Sequence, residues 1–130
     1  MTVATNLSVI RQFYGIDPVT NEQGVQALAT DDIVWHVPGA NPVSGRYEGR
    51  DAVFRVMSER MAPLDEWVIE PLTVMANGDL VMTTARVRGR RRGQDIVTTG
   101  GHLFRLVDGL IAEAWGFVDD QEGMDRFLSA

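Results

Sequence analysis

The 130-residue chain contains no cysteine and no lysine, and all 12 of its basic residues are arginine. Without cysteine there is no thiolate nucleophile, no cysteine metal site and no disulfide framework, so nothing in the chain is built for an oxidising compartment. Without lysine there is no Schiff base or tuned ammonium. Histidine is scarce as well. Only His36 and His102 occur, and they are not spaced as in a helical H-E-x-x-H zinc site, so no metal is expected. The patterns G-x-x-x-x-G-K-[ST] and G-x-G-x-x-G are both missing, which argues against nucleotide cofactors, and no other cofactor is expected. No apolar run approaches the roughly 18 residues of a membrane span, and the N-terminus lacks a basic stretch leading into an apolar one. The expectation is a cytoplasmic protein with no membrane partner. A net charge of −6 argues against nucleic acid as the main partner.

What is present is an ordinary globule, 45% hydrophobic and 23% charged, read as a single domain over residues 1–130. Residues 2–15 read as a helix, with Val3, Leu7, Ile10 and Tyr14 on one narrow face and Val9 and Phe13 at its edge. Thr20 and Gln23 resemble a capping box opening a short second helix through Val25 and Leu28. A first strand over 33–37 breaks at Pro38-Gly39 into a polar loop, and a helix over about 50–61 follows, stopped by Pro63. Such a loop between a buried strand and a buried helix commonly rims a cavity. The remainder reads as strands over 67–76, 80–88, 96–107 and 110–118, with turns at Asn77-Gly78, at an arginine-rich tip and at Asp108-Gly109. A last short helix covers 121–128.

This order predicts an α+β fold: a cone-shaped, curved antiparallel sheet with three to four helices on its concave face around a pocket. The outer sheet face is a natural homodimer surface. Arg86, Arg88, Arg90, Arg91 and Arg92 alternate along a hairpin and read as a solvated face rather than a phosphate site.

The patterns W-H-V-P-G, G-x-Y-x-G-R-D-A-V and F-R-L-V-D-G-L-I-A-E-A-W, with Asp119 four residues beyond Trp115, resemble the SnoaL-like branch of the nuclear-transport-factor-2-like superfamily. That resemblance covers essentially the whole chain and implies a deep apolar pocket in a usually dimeric protein. The superfamily includes polyketide cyclases, ketosteroid isomerases, epoxide hydrolases, dehydratases and silent binding proteins, so it specifies a scaffold and no single reaction. The isomerases place a general-base Asp just before the strand-ending Pro; here that residue is Val37. Tyr14 falls where their oxyanion-hole Tyr lies, and His102 takes the place of their oxyanion-hole acid. The cyclases use an Asp on the final strand, which Asp119 matches. The resemblance therefore leans to the cyclases, with Asp119, His102 and Tyr14 as catalytic candidates.

If Asp108-Gly109 is a two-residue turn, Val107 pairs with Leu110, His102 with Trp115 and Thr98 with Asp119. Alternation then sets Phe104, His102, Trp115, Phe117 and Asp119 on one aromatic, pocket-facing side. The likeness to the isomerases implies that Trp35 and Val37 face the same pocket, which would leave His36 on the other side. Phe54, Met57 and Met61, with Trp35, fit a wall that shapes a ligand, although such stripes are often plain core. Asp119 or Asp120 would alternatively cap the last helix. His102 and Tyr14 would alternatively be satisfied core residues. Two functions follow: cofactor-free acid/base chemistry (isomerisation, cyclisation or hydration) on a small apolar polyketide-, steroid- or terpenoid-like ligand, or non-catalytic binding in the same pocket.

Overall fold

The computed structural model describes residues 3–19 and 24–130. The capping pair Thr20 and Gln23 and the side chain of Val3 lie outside the described residues. Helix α1 (Val3–Phe13) leads to a short 3₁₀ turn (Gly24–Leu28), strand β1 (Ala29–Val37) and strand β2 (Gly45–Glu48). A π-helical turn (Ala52–Val56) runs into α2 (Met57–Met61). Four long strands follow, β3 (Glu66–Asn77), β4 (Leu80–Arg91), β5 (Gln94–Val107) and β6 (Leu110–Val118), and α3 (Gln121–Ser129) closes the chain.

The six strands form one curved, unclosed sheet in the order β2-β1-β6-β5-β4-β3. Two expectations need correction. The sheet is mixed, because β1 runs parallel to β6 while every other pair is antiparallel. The polar loop after β1 also contains β2, which pairs back on β1 with Tyr47 opposite Trp35. Its residues G-R-Y-E have only one apolar member, too few for alternation to show. Three helices are present among the described residues, and no helix is long and apolar enough to cross a membrane.

The hairpin turns fall where the sequence puts them except the first, which is Gly78-Asp79 and not Asn77-Gly78, because Asn77 pairs with Leu80. Asp108 and Gly109 take φ of 50° and 76°, and Arg92 and Gly93 take 50° and 77°, the positive pair that a two-residue turn of matching twist requires. Along β4 burial alternates strictly: Val81, Thr83, Ala85, Val87 and Gly89 face in, while Arg86, Arg88 and Arg90 face solvent. Arg86, Arg88, Arg90 and Arg92 are thus the solvated face expected, whereas Arg91 turns in and donates to Leu128 O at 2.9 Å.

Inward side chains form two apolar clusters. One gathers Ile10, Ile33, Trp35, Phe104, Leu106 and Ile111 under α1, and the other gathers Val43, Val87, Met124, Phe127 and Leu128 under α3. The loop after β1 is tied down between them. Asp125 on α3 accepts from Asn41 Nδ2 at 2.7 Å and from Gln121 Nε2 at 2.9 Å. A Cβ on Gly39, at φ 91°, would lie 2.2 Å from Asp125 Oδ1, so only glycine lets the loop come this close. Hydrogen bonding from Asn41 holds the Asp125 carboxyl below the usual carboxylate range.

Candidate functional site

Between the two clusters lies a cavity of about 450 Å³, within the usual range for small-molecule pockets. Its walls are mostly apolar: Phe13 from α1, Trp35 and Val37 from β1, Phe54, Met57 and Met61 from the helix after β2, and Met124 and Leu128 from α3. None of the described residues lining it carries a carboxylate or a guanidinium. Among the described residues there is also no cluster of His, Cys, Asp and Glu able to hold a metal.

One polar cluster breaks the apolar wall. Tyr14 Oη lies 2.5 Å from His102 Nδ1 and 2.6 Å from Thr83 Oγ1. The His102 backbone N–H donates to Thr83 Oγ1 at 3.0 Å. Thr83 is fully buried, and it meets His102 because those two residues are cross-strand partners on β4 and β5. Tyr14 reaches both from the end of α1. Among the described residues His102 Nε2 has no hydrogen-bond partner, and His102 lines the cavity.

Aromatic rings pack around this cluster. Trp35 and Phe104 each lie 5.3 Å from the His102 ring, centroid to centroid. His102 touches the cavity surface but is screened from bulk water, and this desolvation lowers its pKa from 6.5 to about 4. Burial likewise raises the Tyr14 hydroxyl to about 12, a rise partly offset by its bond to Thr83. At neutral pH the pair is therefore a neutral imidazole beside a neutral phenol.

Eight of the ten residues expected at the site line this cavity: Tyr14, His102, Trp35, Val37, Phe54, Met57, Met61 and Phe117. Phe117 does so from an unexpected side. It pairs with Gly101 on the sheet face opposite His102 and remains 42% exposed.

Trp115 and Asp119 lie elsewhere. The hairpin after Asp108-Gly109 begins in the expected register, Val107 opposite Leu110 and Leu106 opposite Ile111. A bulge then leaves Ala112 unpaired, and Arg105 faces Glu113, Leu103 faces Trp115 and His102 faces Gly116. A one-residue slip turns every later side chain to the other face. Trp115 therefore stands on the outer face, where it stacks on His36 with centroids 5.4 Å apart and rings within 5° of parallel. Asp119 sits past the end of β6, exposed to solvent and outside the cavity lining. Its backbone N–H donates to Thr99 O, and Asp120, not Asp119, caps α3 by accepting from Gly123 N at 2.9 Å. The pocket-facing base expected at Asp119 is thus absent from the cavity.

His36 also faces outward, as alternation from Trp35 and Val37 predicts. Its Nε2 meets Glu113 Oε2 at 2.8 Å, and Arg105 reaches the other oxygen of Glu113 at 3.3 Å. Residues that the sequence reading passed over are Thr83, Phe13's direct place in the wall, and the rim pair Asn41 and Gln121. Thr83 had left a signal: it is the one hydroxyl in the inward row of Val81, Ala85 and Val87.

The sequence of residues 19–114 matches the model of the SnoaL-like domain. A search of curated proteins finds no match. Among solved structures, Bal32a, from a soil-derived mobile gene cassette, is 20% identical, with a TM-score of 0.86, covering 97% of this chain and 98% of its own. TerC, co-crystallised with polyporic acid, is 16% identical with a TM-score of 0.81, over 95% of this chain and 98% of its own. A protein of Jannaschia Sp. CCS1 that carries the description SnoaL-like polyketide cyclase is 18% identical with a TM-score of 0.70, over 98% and 94%. At such identities the likeness carries the fold alone. The match over residues 19–114 places the chain in the SnoaL-like domain family, and its fold is that of nuclear-transport-factor-2-like structures.

Proposed function

We propose that this chain is a cofactor-free enzyme that moves a proton on a small, neutral, apolar ligand, leading to isomerisation or ring closure. The observation that carries this reading is His102, an imidazole facing an apolar cavity, with Nε2 unpartnered among the described residues and Nδ1 held by Tyr14. A cavity lined by no carboxylate or guanidinium selects against charged ligands, because an unpaired charge there would lose its hydration uncompensated. Since His102 titrates near 4, it is a weak base. It suits a carbon whose proton is already acidic, such as one flanked by two carbonyls in a polyketide-like substrate.

In the proposed step Nε2 takes that proton and the C–H electron pair moves onto the adjacent carbonyl oxygen as an enolate. The cavity walls hold a second carbonyl of the same ligand close enough for the enolate carbon to attack it. The imidazolium then returns its proton to the new alkoxide, or to another carbon where the outcome is isomerisation. While the proton is held, the imidazolium faces the growing negative charge in a low-dielectric site, where such stabilisation is strongest. Solvent-deuterium incorporation into neutral 1,3-dicarbonyl ring compounds tests the reading. His102→Gln should lower the catalysed rate by about 10²-fold or more, whereas Asp119→Asn should leave it unchanged. Full exchange by His102→Gln sinks the assignment.

Non-catalytic binding is favoured by one specific observation: among the described residues no carboxylate base lines the cavity. It predicts saturable binding of the same compounds with no exchange above the spontaneous rate. A homodimer through the outer sheet face belongs to the proposal as well. It is supported by Met75, Met82 and Val97, which project from that face, Val97 being 62% exposed. Light scattering of Val97→Arg should then give half the native mass.

A further inference from the structure

The Tyr14 hydroxyl has one proton and two acceptors within reach, His102 Nδ1 at 2.5 Å and Thr83 Oγ1 at 2.6 Å. When that proton points at Nδ1, the imidazole's own proton sits on Nε2 and the cavity sees a hydrogen-bond donor. When His102 acts as a base, Nε2 must be bare and Nδ1 must carry the proton. Tyr14 then has to accept from Nδ1 and turn its own proton elsewhere. The same holds for the imidazolium, in which both ring nitrogens are donors.

Among the described residues Thr83 Oγ1 is the one other acceptor that Tyr14 meets. Thr83 completes the chain, because its own proton can go to the His102 carbonyl oxygen through a long contact of 3.4 Å, and its oxygen already accepts the His102 N–H. We propose that Thr83 is the positioning residue for proton transfer by His102, receiving the Tyr14 hydroxyl proton in the states in which Nδ1 is protonated. This rests on the reading of His102 as the group that exchanges a proton with the ligand.

The protons balance without loss from the trio. In the base form Nδ1 donates to Tyr14, Tyr14 to Thr83 and Thr83 to the His102 carbonyl. Uptake of the ligand's proton fills Nε2 and changes nothing behind it; its return to the product restores the base form. With valine at position 83, Tyr14 would have only Nδ1 to donate to, because leaving a buried hydroxyl proton without an acceptor is costly. His102 would then be held with its proton on Nε2. Among the described residues no charged group competes for control of the ring. Among the described residues Tyr14, at the end of α1, is the sole titratable group against it, while β1 brings Trp35, β4 brings Thr83, β5 brings Phe104 and β6 brings Gly116.

The test is ¹⁵N NMR of the His102 imidazole through a pH titration of the full chain without ligand, in wild type, Thr83→Val, Thr83→Ala and Thr83→Ser. The expected result is a population of the Nδ1–H tautomer at pH 7 in wild type that vanishes in Thr83→Val. The His102 titration midpoint should also fall at least tenfold in proton affinity, and serine should restore both. The alanine variant carries the same expectation should valine prevent folding. A well-folded valine or alanine variant in which His102 keeps its native tautomer and midpoint overturns the proposal, even where His102→Gln abolishes deuterium exchange. If the tautomer shift is seen but wild type catalyses no exchange, the role of Thr83 is supported and the enzymatic reading fails instead.

Discussion

His36 and His102 stand on opposite faces of one sheet, and almost everything that separates them comes from what the two faces pack against. His102 is walled by Trp35, Phe104 and Tyr14 and has no carboxylate near it, so burial drives it to the neutral form. His36 is half-exposed, stacked on Trp115 and bonded to Glu113, whose carboxyl the contact holds below its usual range. The inner histidine has hydrogen-bond partners that can redistribute a proton. The outer one has a fixed counter-charge in reach of water. Residue type does not assign the chemistry here; the face does.

The most severe way to break this contrast is to let water into the inner side. Phe104 is fully buried and contacts Phe13, Tyr14, Trp35 and His102. Phe104→Ala should cost roughly 3–5 kcal/mol of stability in denaturant unfolding, from lost transfer energy and the void left behind. Where the variant is folded, the His102 titration should move up toward 6.5 as its wall opens. A His102 that remains near 4 beside a wet cavity would mean that dryness is not what sets its charge.

The same contrast gives a stability profile with a definite sign. His102 titrates near 4 in the folded chain and at about 6.5 when unfolded. Above pH 6.5 both states hold it neutral and it contributes no slope. Between pH 6.5 and 4 the unfolded chain binds a proton that the fold refuses, so stability should fall as pH drops, and level off below 4. The full loss is on the order of 3 kcal/mol. Unfolding measured across that window should show the slope in wild type and a flatter line in His102→Gln. An unchanged slope in that variant would assign the loss to other groups.

Much of the scaffold was legible because local rules agree with one another. Turn residues at Asp108-Gly109, strict alternation along β4 and the α1 stripe through Ile10 each specify the element found. The cavity wall was legible in two ways: Phe54, Met57 and Met61 follow from the period of their helix, and Trp35 and Val37 from the likeness to the isomerases. What failed was a tertiary event of one residue. Strict alternation from the turn puts Glu113 on the same side as Ile111 and Trp115, which would aim a carboxylate into an apolar pocket. The bulge at Ala112 resolves that conflict by turning Glu113 out to His36 and Arg105, and it takes Trp115 with it. The misplaced charge was the available warning. For Asp119 there was none of that kind, since burial of a residue beyond a strand end depends on where the next helix packs and not on any period.

The outer pair offers the mildest test. His36 and Glu113 are partly exposed, so their hydrogen-bonded contact competes with water and should contribute no more than about 1 kcal/mol. Because the folded pKa of Glu113 is depressed, its contribution is present above the ordinary carboxylate range and is lost as pH falls through the lower folded value. A double-mutant cycle of His36→Gln and Glu113→Gln, read by unfolding at pH 7, should give a coupling of a few tenths of a kcal/mol up to that limit, shrinking with added salt. Neither variant should move the His102 titration, because the sheet separates the two rings and no described hydrogen bond joins their clusters. A coupling of several kcal/mol, or a shift of His102 on removing Glu113, would show that the two faces act as one electrostatic unit and would undo the contrast between them.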